Sequence, residues 1–409
     1  MNEMTVGKKF VLGMQHVLAM FGATVLVPML TGLNPGIAIL AAGVGTLVFH
    51  SVTKGIVPVF LGSSFAFIGA ISLILSQYGI AAVKTGIIAT GCVYVLMAGI
   101  IKFVGVKRVQ SFFPPIVVGP IIMVIGLRLS PTAINMLKTG EAIDAQKALV
   151  AALVVTIVIA VSIWAKGFFK MIPILIAVTT GYVVSLAIGM VDVTPIMEAG
   201  WIGFSEEAWQ QITTFPELST NALTAVIAIA PIAFVVFIEH IGDITTNGAV
   251  VGKNFFDNPG IHRTLLGDGL ATIAAGLLGG PANTTYGENT GVLAVTKVYD
   301  PKIIRIAATF AIVLSLCGKF TAIVQTIPDA VMGGISIVLF GMIAAVGVRT
   351  LVDERLDFTH SRNLLIAAVI FVIGIGVTDV AITETLTISG LAIAALLGVI
   401  LNKVLPSDI

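Results

Sequence analysis

The sequence predicts an all-α polytopic membrane protein of about fourteen transmembrane segments, arranged as two inverted repeats of seven spans. The 409-residue chain is 57% hydrophobic and only 11% charged, whereas soluble proteins carry about 25% charged residues. Many of its apolar runs reach or approach the roughly 20 residues that a helix needs to cross a bilayer. The inverted arrangement follows from an internal repeat, described below.

The composition also argues against several other classes of protein. The net charge of +1 gives no indication of nucleic-acid binding. Cys92 and Cys317 both lie in apolar runs, so we interpret them as packing residues. The five histidines show no metal-ligand spacing with cysteines or carboxylates. The sequence therefore predicts neither a metal nor a cofactor.

The spans follow one another with short connections. The first begins at Phe10 and is long enough to cross about 30 Å of hydrocarbon, which favours a membrane helix over a cleaved signal peptide. The third and tenth are irregular, because polar residues and glycines interrupt them. The predicted spans are approximately 10–31, 35–52, 56–77, 81–104, 113–130, 146–165, 168–191, 221–243, 264–280, 284–298, 303–326, 329–349, 361–379 and 383–404.

The charges of the connections predict the orientation. Lys8 and Lys9 precede the first span, and further Lys and Arg residues collect in the even-numbered connections. The 192–220 connection, on the other side, carries five acidic residues and no Lys or Arg. The 131–147 loop is an exception, since it contains two lysines. By the positive-inside rule, both termini are expected on the cytoplasmic side of the membrane.

An internal repeat relates the two halves of the chain. Gln15-His16 in span 1 and Glu239-His240 in span 8 are separated by the same number of residues as Ser64-Phe65 and Glu288-Asn289. Spans 5 and 12 both begin Pro-x-x-Val-x-Gly, at a slightly shorter separation. Because each half has seven spans, the second must enter from the opposite side. Inverted repeats with broken segments at matching positions are typical of secondary transporters.

Three carboxylates lie in the apolar context where such a transporter binds substrate: Glu239, Asp243 and Glu288. A charge at bilayer depth costs roughly 2.5 to 3.5 kcal/mol, which indicates a functional role. Desolvation favours the protonated form of a carboxylate, so these groups are suited to carry protons. Asp243 has a simpler interpretation, as a solvated or capping residue at the cytoplasmic end of span 8.

Phe65, in the broken third span, is expected opposite Glu288. An aromatic face beside carboxylates suits a flat, polar, uncharged ring, although core packing is the commoner use of a membrane Phe. His16 and His240 are more readily explained as packing partners than as ligands.

The motifs resemble those of the nucleobase-ascorbate transporter family. The family signature is matched by Glu288-Asn289-x-Gly291-x-x-x-x-Thr296-Lys297, and its acidic first position is that of the bacterial uracil permeases. Four further segments fit the family in order: Gln15-His16, Gly62-Ser63-Ser64-Phe65-Ala66-Phe67, Glu239-His240-Ile241-Gly242 and Asn283-Thr284-Thr285-Tyr286-Gly287-Glu288-Asn289.

This resemblance implies a core domain and a gate domain that move against each other like an elevator, in a homodimer. The core domain is expected from spans 1–4 (1–110) and 8–11 (221–326), and the gate domain from spans 5–7 (111–220) and 12–14 (327–409). Short antiparallel strands in spans 3 and 10 are expected to meet at the substrate.

The resemblance also implies roles for individual residues. Glu239 and Glu288 are expected to hydrogen-bond a pyrimidine ring. Backbone groups at Phe65, Ala66 and Gly287 are expected to contact its carbonyl oxygen, and Tyr286 to lie close by.

Two positions depart from the pattern of uracil permeases. Asp243 stands where uracil permeases have a His four residues after the glutamate of span 8, a departure that bears on proton coupling. Glu239 and Asp243 are expected to be the proton-coupling pair, because residues four apart share one face of a helix. Phe340 in span 12 replaces a Tyr that approaches the substrate in relatives.

The predicted function is proton-coupled import of uracil, with uracil, protons and the lipid bilayer as partners. Another nucleobase, such as xanthine, or a broader range of pyrimidines is the alternative substrate. An anion transporter of the same architecture is disfavoured, since two carboxylates would repel an anion. An intramembrane enzyme is not expected, because the sequence shows no nucleophile-base pair.

Overall fold

The computed structural model of the chain describes residues 5–377, 379–383 and 386–406. Most of these residues are helical. The helices of the first half are α1 (Val6–Thr31), α2 (Pro35–Val52), α3 (Ile68–Val104), α4 (Val106–Gln110), α5 (Pro115–Asn135), α6 (Ala145–Trp164), α7 (Pro173–Ala187), α8 (Thr194–Glu198) and α9 (Glu206–Thr213).

The second half contains nine more helices among the described residues. They are α10 (Thr220–Ile229), α11 (Ala233–Val251), α12 (Ile261–Leu278), α13 (Gly287–Thr296), α14 (Pro301–Ser315), α15 (Gly318–Gln325), α16 (Asp329–Asp353), α17 (Ser361–Gly376) and α18 (Gly390–Val404). The strands are β1 (Leu61–Ser63), β2 (Lys138–Thr139), β3 (Ala142–Ile143), β4 (Asn283–Thr285), β5 (Asp379–Thr383) and β6 (Leu386–Ser389).

Within the described residues, seven helical segments are long and apolar enough to cross a membrane, and the bent pair α14 and α15 makes an eighth. One of the seven runs from Phe65 to Val104, where two spans were expected. It is interrupted at Gly79, whose φ of +79° is readily adopted only by glycine. The interruption lies between the predicted spans 56–77 and 81–104.

Three segments differ from the predicted spans. The helix that contains Asp243 does not end there but continues to Val251. Its polar residues are accommodated because Thr245 and Thr246 donate their hydroxyls to the carbonyls of Ile241 and Gly242. The predicted eleventh span is bent by 82° between α14 and α15. The last span was expected from residue 383, but α18 begins only at Gly390, after the β5–β6 hairpin.

The helices pack in matched pairs when the first seven predicted spans are laid over the last seven. Helix α3 packs on α12, and α2 packs on α14. The contact of α5 with α17 has its repeat equivalent in the contact of α16 with α6. In the same way, the contact of α6 with α7 is equivalent to that of α17 with α18. Pro114 and Pro328, the shared motif residues, precede α5 and α16 in the same extended conformation.

The helices α5 and α16 cross at glycines. A Cβ atom on Gly126 would lie 2.4 Å from the carbonyl oxygen of Phe340, and one on Gly347 would lie 2.5 Å from that of Gly119. The two backbones can therefore approach closely only with glycine at these positions. This contact fixes the position of Phe340 along the axis of α16 and the direction in which it points from that axis.

The 192–220 connection is attached to helices of the predicted core domain. The buried Lys84 of α3 donates to the carbonyls of Ile212 and Thr214, at 2.9 and 2.6 Å. Gln211 accepts from the amide of Asn34 and donates to the carbonyl of Gly279. These bonds satisfy backbone groups at the end of α9 and hold that helix over the ends of α2 and α12.

Candidate functional site

Two short antiparallel strands form the centre of the candidate site. Leu61, Gly62 and Ser63 of β1 pair with Thr285, Thr284 and Asn283 of β4. The ladder continues at both ends, where the amide of Ser64 donates to Ala282 (2.9 Å) and that of Tyr286 donates to Phe60 (3.0 Å). All six strand residues are buried. Broken segments of this kind are tolerated within membrane proteins only where protein surrounds them or a cavity adjoins them.

A helix begins directly after each strand. Gly287 is the first residue of α13, and a single 3₁₀ turn, Phe65–Phe67, leads into α3. The first amides of a helix have no partner within it, and the helix dipole makes this end positive. Because the strands are antiparallel, the two positive ends reach the centre from opposite sides. Both can therefore donate N–H groups to a ligand's acceptor atoms.

Glu239 and Glu288 lie beside these helix ends. Both side chains are exposed, although His240, next to Glu239, and Asn289, next to Glu288, are buried. The two carboxylates are close enough for their charges to interact. Glu288 occupies the first turn of α13, where the helix dipole favours a negative group. The carboxylates thus offer accessible hydrogen-bond acceptors next to backbone donors.

Asp243 is held against the second strand. The hydroxyl of Thr285 donates to its carboxylate at 2.6 Å, and the side chain is half-buried. Asp243 also lies within electrostatic range of Glu239 and Glu288. The interpretation as a solvated residue at the end of span 8 is therefore wrong, since Asp243 lies two helical turns before the end of α11.

Tyr286 is fixed across the two strands rather than free. Its hydroxyl donates to the carbonyl of Ser63 at 2.9 Å and accepts from Thr24 at 3.3 Å. Its ring lies over Gly62, where a Cβ atom would come within 2.4 Å of ring carbons. Tyr286 is 4% exposed, so its phenol mainly holds the strand pair in place.

Two asparagines connect α13 to its neighbours. Asn289 donates to the carbonyl of His16 at 3.0 Å and contacts its Nδ1 at 3.1 Å. Asn247 of α11 donates to Thr290 at 3.1 Å and to the carbonyl of Pro58 at 3.2 Å. His16 is thus a buried packing partner, as expected, while sequence reasoning did not identify Asn247.

Aromatic residues close the other side of the site. Phe340 is buried in a cluster with Ile68 and Val235, against which Phe65 and Ala66 pack while partly exposed. The cluster therefore joins α16 to the beginning of α3. Phe65 lies at the start of the 3₁₀ turn that follows β1, and Glu288 lies in the first turn of the helix that follows β4. Each residue is therefore placed at the strand pair by its own strand.

A second polar group lies behind Glu239 and was missed. The Nδ1 of His240 lies 3.1 Å from a carboxylate oxygen of Asp268, and its Nε2 lies 2.9 Å from the hydroxyl of Thr264. All three side chains are fully buried. Asp268 is the only charged residue in the predicted span 264–280. That isolation in an apolar run was a signal that could have found it.

The exposed residues around the carboxylates continue along two helices. On α11 the exposed positions after Glu239 include Gly242, Thr246 and Ala249, and on α13 they include Gly291 and Ala294. Both stripes run from the site toward the ends of the helices near Lys253 and Lys297. In contrast, residues 23–28 of α1 are all buried. Exposed positions on both helices therefore extend from the carboxylates toward the Lys253 end of the molecule.

No group of three or more potential metal ligands is found in the described ranges of the chain. A bundle of apolar helices whose broken segments bring carboxylates and free backbone groups together is the architecture of a membrane transporter. The chain belongs to the Permease family, since the model of that family matches residues 7–383. It is a multi-pass membrane protein of this family.

Curated relatives are similar over nearly their whole length. The uracil permease of Bacillus caldolyticus is 44% identical over 407 residues, which cover 98% of this chain and 93% of the relative. That of Bacillus subtilis (strain 168) is 42% identical, with 96% and 91% covered. The uracil permease of Escherichia coli (strain K12) is 38% identical, with 96% and 90% covered. These relatives are transporters rather than enzymes.

Solved structures of other transporters share the fold. The transmembrane domain of the cyanobacterial bicarbonate transporter BicA superposes with a TM-score of 0.69 at 16% identity, covering 95% of this chain and 96% of that one. The murine anion transporter Slc26a9, in its inward-facing state, gives 0.71 at 11% identity, covering 98% and 68%.

Proposed function

We propose that this permease is a proton-coupled symporter that imports uracil across a bacterial inner membrane, with both termini in the cytoplasm. The observation that carries the proposal is the placement of two accessible carboxylates beside two helix N-termini. Uracil presents N–H donors and carbonyl acceptors on the edge of one flat, neutral ring. The site offers the complementary acceptors and donors, and the proteins named uracil permeases are similar to this chain over nearly their whole length.

In this proposal, Glu239 and Glu288 accept hydrogen bonds from the ring N–H groups. The backbone at Phe65, Ala66 and Gly287 donates to a carbonyl oxygen. Phe65 is partly exposed and supplies apolar area from the core domain, while the buried Phe340 belongs to the cluster against which Phe65 packs. Tyr286 acts by holding the strands, so its contribution to binding is through their geometry.

The chain is proposed to cross the membrane fourteen times, as two inverted seven-span repeats, and to function as a homodimer. The matched helix packing supports the repeat. Residues 1–110 and 221–326 would form the core domain that carries the substrate, and 111–220 and 327–409 the gate domain. The core would move like an elevator relative to the gate. The exposed stripes toward Lys253 and Lys297 favour an inward-open arrangement, since the positive-inside rule places those lysines in the cytoplasm.

Proton coupling is assigned to Glu239 with Asp243 as its electrostatic partner. Two carboxylates one helical turn apart whose charges interact do not both ionise freely, so one proton is shared between them. Inward movement of one charge through 100 mV supplies about 2.3 kcal/mol. This corresponds to accumulation of uracil on the order of 50-fold.

Another nucleobase, such as xanthine, or a broader range of pyrimidines remains the alternative substrate. A site built from carboxylates does not suit the anions carried by transporters of the same fold, because like charges repel.

Binding of labelled uracil to the purified protein in detergent, with unlabelled nucleobases as competitors, tests the proposed substrate. We expect unlabelled uracil to compete at the lowest concentration. If xanthine competes better than uracil, the alternative holds. If chloride or bicarbonate displaces the label while nucleobases do not, the proposal is wrong.

A further inference from the structure

One long connection joins the two proposed domains on the acidic side of the molecule. Residues 192–219 contain α8 and α9 and fall in the 111–220 range proposed for the gate domain. We call this segment the outer cap. Every described hydrogen bond that leaves the outer cap ends on the proposed core domain. The outer cap is therefore attached to the opposite domain from the one that its place in the chain assigns to it.

Lys84 of α3 is the principal anchor of the outer cap. Its side chain is buried, and its ammonium donates to the carbonyls of Ile212 and Thr214. These carbonyls lie at the C-terminal end of α9, where the helix dipole is negative and the last carbonyls have no partner within the helix. A buried ammonium and two carbonyls thus satisfy each other. If they separated, all three groups would lose their hydrogen bonds.

Further bonds hold both ends of the outer cap. At α8, the ammonium of Lys319 in α15 donates to the carbonyl of Met197 at 2.9 Å. Beyond α9, the hydroxyl of Thr85 in α3 donates to the carbonyl of Glu217 at 2.8 Å. Gln211 lies between these two points and is bonded to the start of α2 and to the turn after α12. Because these anchors come from several core helices, the outer cap is held along its length rather than at one point.

A short link joins the outer cap to the gate. The link, 188–191, follows α7 and contains Gly189 with a φ of +76°, which glycine adopts readily. A second link, 326–328, joins α15 to α16. The two links lie side by side, since Met190 and Thr326 line one cavity. Movement between the domains can therefore be taken up at these links while the bonds of the outer cap stay intact.

We propose that the outer cap is a moving part of the core domain and follows it through the transport cycle. The proposal rests on the proposed elevator movement of the core against the gate. If the outer cap stayed with the gate, each cycle would strip a buried ammonium and several carbonyls of their partners, which is costly. Moving with the core, the outer cap keeps α9 bonded to Gly279, the residue after α12, which leads within four residues into β4. It thereby supports the strand pair from outside as the site moves.

Covalent bridges test which domain the outer cap moves with. Lys147 of α6, Pro195 of α8 and Gln325 of α15 line the same cavity, so cysteines at these positions can be joined in pairs. Gln210 of α9 and Gln325 line a second cavity and provide another pair. The pairs are made in a background without the two native cysteines. Bridging uses a short, cleavable bifunctional thiol reagent, and a monofunctional reagent is the control for modification alone.

We expect uptake of labelled uracil into proteoliposomes to stop when position 147 in the gate is bridged to position 195 in the outer cap. The bridge from position 147 to position 325 in the core should also stop uptake, because it ties the gate to the core. The bridge from position 210 in the outer cap to position 325 should leave the rate unchanged. Cleavage of the bridges should restore uptake wherever it was lost.

The role of Lys84 has a readout that does not require transport. Met has a similar length but no donor, so Lys84→Met leaves two carbonyls of the outer cap without their partner. A cysteine at Ala208, which is 1% exposed in α9, should then react about tenfold faster with a thiol reagent, the factor that one charged hydrogen bond contributes. A cysteine at the buried Ala98 of α3 should stay unreactive. Lys302→Met, which removes an exposed lysine of α14, should leave labelling at Ala208 slow.

The outcomes separate the outer cap from the proposals on which it rests. Uptake that survives the 147–195 bridge but stops with the 147–325 bridge would leave the elevator movement standing and place the outer cap with the gate. Loss of uptake through the 210–325 bridge would show that the outer cap moves against the core. Equal labelling at Ala208 with and without Lys84→Met would remove its anchor. Each of these three results would overturn the proposal.

Failure of the underlying proposals has its own signature. If uptake survives the 147–325 bridge, the domains do not slide, and the elevator movement and the moving outer cap fail together. If the wild type takes up no uracil, the proposed substrate is wrong, and the labelling at Ala208 still decides whether the outer cap is anchored to the core.

Discussion

Glu288 combines three properties that a substrate-binding carboxylate needs. It lies in the first turn of α13, it is accessible, and its backbone is fixed because the adjacent Asn289 is bonded to His16. The apolar context of the sequence was enough to identify it. Its accessibility could not be read from the sequence, since that depends on how two distant strands pair.

Replacement of Glu288 by Gln should weaken uracil binding by roughly tenfold to a hundredfold. The substitution keeps the shape but replaces one acceptor oxygen with a donor, and an unpaired buried polar group costs about 1 to 3 kcal/mol. The Kd for uracil, measured calorimetrically in detergent, checks this. Glu354→Gln, at the exposed end of α16, is the matched control and should bind as the wild type does. Wild-type affinity in Glu288→Gln would count against the proposed role.

Asp268 should matter for stability because it is the buried partner of His240. Asp268→Ala removes the polar group nearest the Nδ1 of His240, and an unsatisfied buried polar group costs about 1 to 3 kcal/mol. We expect a clearly lower thermal unfolding temperature in detergent, while Asp268→Asn, which keeps an acceptor oxygen, should be less affected. Equal unfolding temperatures for Asp268→Ala and the wild type would contradict the structural role.

At the scale of elements, the strand pair is the part of the site that the sequence indicated least directly. The break in spans 3 and 10 was visible as glycines and polar residues in apolar runs. Their pairing was expected only from the family resemblance, because three-residue strands carry no periodicity that distinguishes them from a loop. The β2–β3 and β5–β6 hairpins were not anticipated for the same reason.

Gly62→Ala should disturb the strand pair specifically. The added methyl group would collide with the ring of Tyr286, whose hydroxyl holds Ser63. The ring would have to move, so we expect loss of most uracil binding together with a lower unfolding temperature. Gly99→Ala, where the Cβ meets nothing, is the control. Normal binding by Gly62→Ala would show that the geometry of Tyr286 is unimportant.

At the scale of the whole molecule, the sequence predicted the apolar class and most of the helices. It could not locate the ends of α11 or the 82° bend between α14 and α15. Both depend on tertiary hydrogen bonds: Asn247 bonds to Thr290, and Lys319 of α15 donates to the carbonyl of Met197. Hydropathy does not distinguish a side chain that faces lipid from one that is buried in protein. It therefore locates the spans but does not show which helices pack against each other.

The proposed orientation predicts that the acidic 192–220 connection lies outside the cell. A cysteine introduced at Ser205, the exposed residue preceding α9, should react with an impermeant thiol reagent in intact spheroplasts. A cysteine at Ser361, at the start of α17 in a basic region, should react only after the membrane is opened. The reverse pattern would invert the topology. Both substitutions are made in a background that lacks Cys92 and Cys317.

The measurement that tests the account most directly is accumulation of labelled uracil in proteoliposomes, with and without an imposed pH gradient, by the wild type and by Glu239→Gln. Gln resembles the protonated carboxyl, so this variant should still bind some uracil but should not couple uptake to protons. We expect the wild type to concentrate uracil when the outside is acidic and merely to equilibrate it without a gradient, while Glu239→Gln equilibrates it in both cases. Wild-type uptake that ignores the gradient, or undiminished accumulation by Glu239→Gln, would contradict proton coupling through this carboxylate.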